Sequence, residues 1–199
     1  MPPMNYRAYV AELIGTATLT LSVLVTLSSG LALATPVAAG LTLALFVYTI
    51  GPISGSHINP AVTVGLWSIA KIKTDEAIKY ILSQVVGAFL ALQLVSLLGL
   101  NIANVSAVDS LAVGVAEALG AFFLVFGICS VVYGKVSDVA SGIVIGGSLL
   151  LGITAAASFS NGVLNPAVAI GIGSVSLTYL LAPLVGGVAA AKLYTWLIK

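Results

Sequence analysis

The tripeptide Asn-Pro-Ala occurs twice in this chain, at Asn59-Pro60-Ala61 and Asn165-Pro166-Ala167, each time inside a longer apolar block. Residues 38–65 lie over residues 144–171 at a constant offset of 106 without a gap. Nine of the 28 pairs are identical: Gly40/Gly146, Leu43/Leu149, Leu45/Leu151, Ser54/Ser160, the two triplets, Val62/Val168 and Gly65/Gly171. A tripeptide recurs by chance, whereas a gapless frame of that length points to a molecule built from two halves carrying the same interrupted element. We expect one domain over residues 1–199, with a first repeat of about 1–105 and a second of about 106–199.

The solvent of this chain is lipid. Hydrophobic residues make up 60% of it and charged residues only 7%, and the mean hydropathy is +1.19; too few charges are present to cover that apolar surface in water. The net charge of +1 gives no sign of a nucleic-acid partner. Cys129 is the only cysteine, which excludes an internal disulfide and a cysteine-based metal site. A bilayer core about 30 Å thick takes roughly 20 helical residues to cross. Runs of that kind give six spans, at about 8–28, 36–49, 78–98, 111–132, 141–157 and 177–198; the run at 36–49 is short for a crossing and has room to extend back through Ala32. Glu12 interrupts the first apolar run and no small-residue cleavage site closes it, so we read it as a span rather than a secretory signal. The stretches after the repeated Asn, at 59–70 and 165–173, are too short to span and read as re-entrant half-helices.

With six spans and two returns, all seven basic residues (Arg7, Lys71, Lys73, Lys79, Lys135, Lys192 and Lys199) fall on one side. The opposite loops carry Asp109 as their one charge. The positive-inside rule then predicts a multi-pass protein of the cell membrane with both termini cytoplasmic. Three spans separate one half from the next, an odd number, so the repeats run in opposite orientations, a pattern of membrane transport proteins.

Asn is a strong helix N-cap, and Pro is favoured at the first helical position, where its missing N–H costs nothing. Each triplet therefore starts a helix at a defined residue, and the helix N-terminus carries about half a positive elementary charge. Two such ends meeting in mid-membrane oppose cations and protons. The residues upstream, Gly55-Ser56-His57 and Asn161-Gly162-Val163, are expected to run extended, with carbonyls lining a watery path, because irregular backbone at that depth is tolerated only against a cavity.

At these motifs the chain resembles the aquaporin, or major intrinsic protein, family. The matching residues are Ser54 through Thr63 around the first triplet, the second triplet, Ala11-Glu12 and Ala116-Glu117, Gln84-Val85-Val86-Gly87, and Pro183 through Gly187, in order along nearly the whole chain. The resemblance implies an all-α membrane fold of six transmembrane helices and two half-helices in an inverted repeat. It also implies a pore in each subunit and a homotetramer. In water-selective members an Arg follows the second triplet; here that position is Val168. The other positions of the outer selectivity filter fall on Ala39, Ile153 and Gly162. None of these four is aromatic, basic or a side-chain donor, so the expected filter is wide and apolar, its polar contacts coming from backbone carbonyls.

Glu12 and Glu117 are acids in mid-span, where an unpaired charge costs a few kcal/mol or more. They could relay protons; a loop-supporting role, accepting backbone N–H bonds, is the simpler reading and the one the resemblance implies. A single histidine, His57, with no Cys or second His nearby, makes a poor metal site and is expected to fix its loop. Gly15, Gly87, Gly120, Gly186 and Gly187 read as close-packing positions. Trp67, Tyr80, Tyr133, Tyr194 and Trp196 read as interfacial anchors. Asn104-Val105-Ser106 matches a glycosylation sequon. No nucleophile–base pair, phosphate loop or metal cluster is present, so neither an enzyme nor a cofactor is expected. The reading is a passive channel for water and small uncharged solutes of glycerol, urea or ammonia size. The alternatives are an inverted-repeat secondary transporter, which would need an ion-coupling constellation, or a non-conducting structural component of the membrane.

Overall fold

The computed structural model describes residues 5–103 and 105–199; Asn104, and with it the sequon, lies outside the described residues. The described residues form eight helices, α1 (Tyr6–Ser28), α2 (Thr35–Ser54), α3 (Pro60–Ser68), α4 (Thr74–Leu97), α5 (Leu111–Val132), α6 (Asp138–Ala156), α7 (Pro166–Ile172) and α8 (Leu177–Leu197). Six of them, all but α3 and α7, are long and apolar enough to cross a membrane. The expected spans and half-helices are therefore present, in the expected order.

The largest differences from the sequence reading are in α2 and α4. Helix α2 does not extend back through Ala32; it starts at Thr35 and runs on to Ser54, straight through Gly51-Pro52. Pro52 removes one intrahelical hydrogen bond, yet the helix closes only at Gly55, whose left-handed backbone (φ +86°) directs its N–H to the Gly51 carbonyl at 2.8 Å. Helix α4 begins at Thr74, four residues earlier than expected, because Asp75 and Glu76 in its first turn favour a helix N-terminus.

Between helices in lipid the hydrophobic effect supplies little, so packing rests on close approach at small residues. Helices α2 and α6 cross at Gly40 and Gly146, where a Cβ on either glycine would run into the other's carbonyl. Gly87 lies against the Leu13 carbonyl where α4 crosses α1, and Gly186 against the Ala118 carbonyl where α8 crosses α5. Gly15 makes room for Ile58, and Gly120 for Leu164, in the two re-entrant segments. These contacts come in matched pairs, as two inverted halves require.

One end of the bundle gathers the basic residues. Lys71 sits 4.1 Å over the Tyr133 ring, and Lys192 donates to the Ser68 carbonyl at the end of α3. Lys79 pairs with Asp75 at 3.3 Å and Glu76 at 3.5 Å, and Glu76 accepts from the Tyr9 hydroxyl at 2.8 Å. At the other end, Asp109 accepts the Thr178 N–H at 3.1 Å, and hydrogen bonds from Thr178 and Ser176 hold its carboxyl below the usual carboxylate range. Trp67 and Trp196 are exposed, as anchors should be, whereas Tyr80 and Tyr194 are buried within the protein and present little surface to lipid. Tyr194 stacks on Tyr133, with ring centroids 5.9 Å apart.

Candidate functional site: a cavity ending at the paired asparagines

The centre of the molecule is built by a reciprocal exchange. Asn59 caps α3, its Oδ1 accepting the Ala61 N–H at 2.8 Å; Asn165 caps α7, accepting from Ala167 at 3.1 Å and Val168 at 3.3 Å. With the side-chain oxygens so engaged, the amide nitrogens cross the midline. Asn59 Nδ2 donates to the Leu164 carbonyl at 3.1 Å, and Asn165 Nδ2 donates to the Ile58 carbonyl at 3.0 Å. Each amide has two N–H groups and spends one of them in this way. The two helix N-termini thus meet head to head, with one donor left on each asparagine.

The segments leading to them are not simply extended, in contrast to the sequence expectation. Ser56 (φ +49°), Ile58 (φ +38°) and Leu164 (φ +55°) are non-glycine residues in left-handed backbone, and Gly162 (φ +61°) stands at the position matching Ser56. Such conformations persist only where surrounding bonds impose them, and the mid-span acids supply those bonds. Glu12 accepts the His57 N–H at 2.9 Å on one oxygen and the Ile58 N–H at 2.6 Å on the other. Glu117 accepts Val163 N–H at 3.0 Å and Leu164 N–H at 2.6 Å in the same manner. Ser54 and Ser160 each donate to one of these acids at 2.7 Å and accept the N–H of Ser56 or Gly162 at 3.0 Å. Both carboxylates are fully buried and fully engaged.

Several residues that support these loops were given no such role in the sequence reading. Tyr80 donates to the Ser54 carbonyl and the Tyr179 hydroxyl accepts the Asn161 N–H, both at 2.9 Å. The spacing Tyr80/Gln84/Gly87 recurs as Tyr179/Pro183/Gly186 at an offset of 99, a signal a search confined to the 106-residue frame passes over. The first half is more polar than the second. Gln84 Nε2 donates to Glu12 at 2.7 Å and to Thr63 Oγ1 at 3.0 Å, and Thr63 donates to the Asn59 carbonyl at 3.1 Å. With the single Thr63 proton on that carbonyl, His57 Nδ1, 3.1 Å from the same oxygen, is placed to donate to it. The second half has Val163, Ala169 and Pro183 at the corresponding places.

A cavity of about 320 Å³ runs from Thr35 and Pro36, at the end of α2 away from the basic residues, down to Asn59 and Asn165. Ala39, Ile153, Gly162 and Val168 all border it, as do His57, Asn161 and Val163; Gly55 and Ser56 do not. Among the described residues no charged side chain borders it. Among the described residues no group of three or more His, Cys, Asp or Glu stands close enough to hold a metal ion.

Two inverted halves with broken helices meeting at an uncharged cavity, inside a bundle of six apolar helices, define a multi-pass membrane channel. The chain belongs to the major intrinsic protein family, whose model matches residues 2–194; members of this family are passive channels for water and small solutes, not enzymes. It is 34% identical over 184 residues to a probable aquaporin AqpM of Archaeoglobus fulgidus, covering 81% of this chain and 75% of that one. It is also 34% identical over 205 residues to a glycerol uptake facilitator protein-like 6 of Lactiplantibacillus plantarum, covering 93% and 95%. Among solved structures, the aquaglyceroporin from Plasmodium falciparum superposes with a TM-score of 0.82 at 24% identity, covering 98% of this chain and 97% of that one, and shares the fold.

Proposed function

We propose that this protein conducts water and small uncharged solutes of glycerol, urea or ammonia size through an outer filter that is wide, apolar and without arginine. The observation that carries this is the cavity wall: Ala39, Ile153, Gly162 and Val168 border one continuous space that ends at the asparagine pair, and none of them brings a charge or a side-chain hydrogen-bond donor. A solute passing that ring finds polar partners in the carbonyls of Asn161, Gly162 and Val163, then in the free amide N–H groups of Asn59 and Asn165. On this reading His57 offers its carbonyl at the same depth, and Gly55 and Ser56 continue the ladder inwards.

Ion exclusion in such a pore rests on the positive ends of α3 and α7 and on the cost of stripping water from an ion against an apolar wall. Glu12 and Glu117 hold the re-entrant loops and do not couple transport to an ion. The unit is a single channel domain of two repeats, about 1–105 and 106–199, assembled as a homotetramer in lipid with both termini cytoplasmic, the basic end of the bundle facing inwards. The test is stopped-flow light scattering on liposomes carrying the purified protein, comparing water, glycerol, urea and ammonia. Fluxes of water and at least one of these solutes above those of empty liposomes are expected; flux of water alone would refute the wide filter.

A further inference from the structure

The inverted repeat assigns every outer cavity position an inner counterpart. The register is set by the reciprocal asparagine bonds and by the mutual Gly40/Gly146 crossing. At the offset of 106, Ala39 maps to Ile145, Val47 to Ile153, Ser56 to Gly162 and Val62 to Val168. Ala39 and Ile145 each immediately precede the crossing glycine of their helix, so the repeat puts them at equivalent positions in opposite halves. The cavity borders Ala39, Leu43, Leu149 and Ile153, the outer and central positions of α2 and α6; Val47 and Ile145, the next positions inwards, do not border it.

The two rings are not the same size. The outer one places a methyl group and a bare glycine where the inner one places the branched side chain of Ile145 and the side chain of Ser56. At the other helical position of the register, Ile153 is matched by the only slightly smaller Val47. On the flanking helices, Val23 of the outer wall corresponds to Ile128, at the 105-residue offset that relates Glu12 to Glu117. Ile145 and Ile128 are buried in the core. Independently, the Ser56 hydroxyl is buried and has no hydrogen-bond partner among the described residues. An orphan hydroxyl at that depth needs an explanation, and a water or solute in the path provides one.

We propose that the inner ring of Val47, Ser56, Val62 and Ile145, on the basic side of the asparagine pair, sets the largest solute this channel passes, with Ile145 as its size-determining residue. The inference rests on the channel reading above and deepens it. Resistances along one path add, so the narrower ring dominates, and opening the wider one changes little.

The experiment measures water and glycerol flux into liposomes containing the full-length protein, normalised to protein incorporated and checked for assembly by size-exclusion chromatography. Ile145→Ala is expected to raise the glycerol-to-water flux ratio by about threefold or more, while Ala39→Gly moves it by less than about twofold. An unchanged ratio in Ile145→Ala overturns the proposal, and a larger rise in Ala39→Gly returns control to the outer ring. Should Ile145→Ala fail to assemble, Ile145→Val removes one methyl group and must shift the ratio in the same direction; no shift overturns the proposal. Liposomes that pass neither water nor glycerol, with every variant assembled, refute the channel reading itself and are thereby distinguished from failure of the inner-ring assignment.

Discussion

Replacing Glu117 by Gln tests whether the buried acids are loop anchors. The Val163 and Leu164 N–H groups bond to different oxygens of this carboxylate, at 3.0 and 2.6 Å. A carboxamide keeps one acceptor and turns the other into a donor, so whichever way it flips, one backbone N–H faces an N–H. A buried donor left unpaired costs about 1–3 kcal/mol, and the surviving bond drops from a charge-assisted to a neutral one. The sum is about 2–4 kcal/mol of lost stability. The same logic gives a similar loss for Glu12→Gln, where His57 and Ile58 are split between the two oxygens. Because Leu164 is held in left-handed backbone and its carbonyl receives the Asn59 amide, the strain released also loosens the asparagine pair. Denaturant unfolding of the purified variant in mixed micelles reads the stability, and stopped-flow water flux reads the pore; both are expected to fall. A variant within about 0.5 kcal/mol of the parent and with unchanged flux would refute the anchor role. A proton relay would instead lose a pH-dependent current at constant stability.

Three further outcomes follow from the geometry. Gly186→Ala drives a Cβ into the Ala118 carbonyl at the α5–α8 crossing, whereas Gly147→Ala meets nothing within 4 Å; thermal unfolding should show a loss of about 1–3 kcal/mol for the first and little change for the second, and equal effects would discount the close crossing. Asn165→Asp replaces the donor to the Ile58 carbonyl with a negative charge between two positive helix ends, so electrical recordings should register a cation or proton leak larger than that of any neutral change at Val168, and a leak no larger would contradict the exclusion argument. Ala39→Phe sets a ring into the outer cavity and should lower glycerol flux far more than water flux; a proportionate fall in both would remove Ala39 from the conducting path.

Much of this molecule is legible from sequence because lipid imposes simple rules. Backbone groups in hydrocarbon must be satisfied within the segment, so long apolar runs can only be helices, and runs too short to cross must turn back. Asn followed by Pro fixes a helix start by local chemistry, and the 106-residue frame together with the placement of Lys and Arg imposes the inverted topology. The tertiary structure alone decided how the two halves hold each other. The crossed bonds from Asn59 to Leu164 and from Asn165 to Ile58 span more than 100 residues, and no local periodicity encodes them. Tyr80 resembles an interfacial anchor by composition, yet it is buried against the Ser54 carbonyl, because its role depends on where α4 meets the re-entrant loop. The left-handed turns at Ser56, Ile58 and Leu164 are likewise invisible in residue types that rarely adopt them. They exist because buried carboxylates on other helices supply hydrogen bonds strong enough to hold the strain, and such bonds form only once the helices have packed.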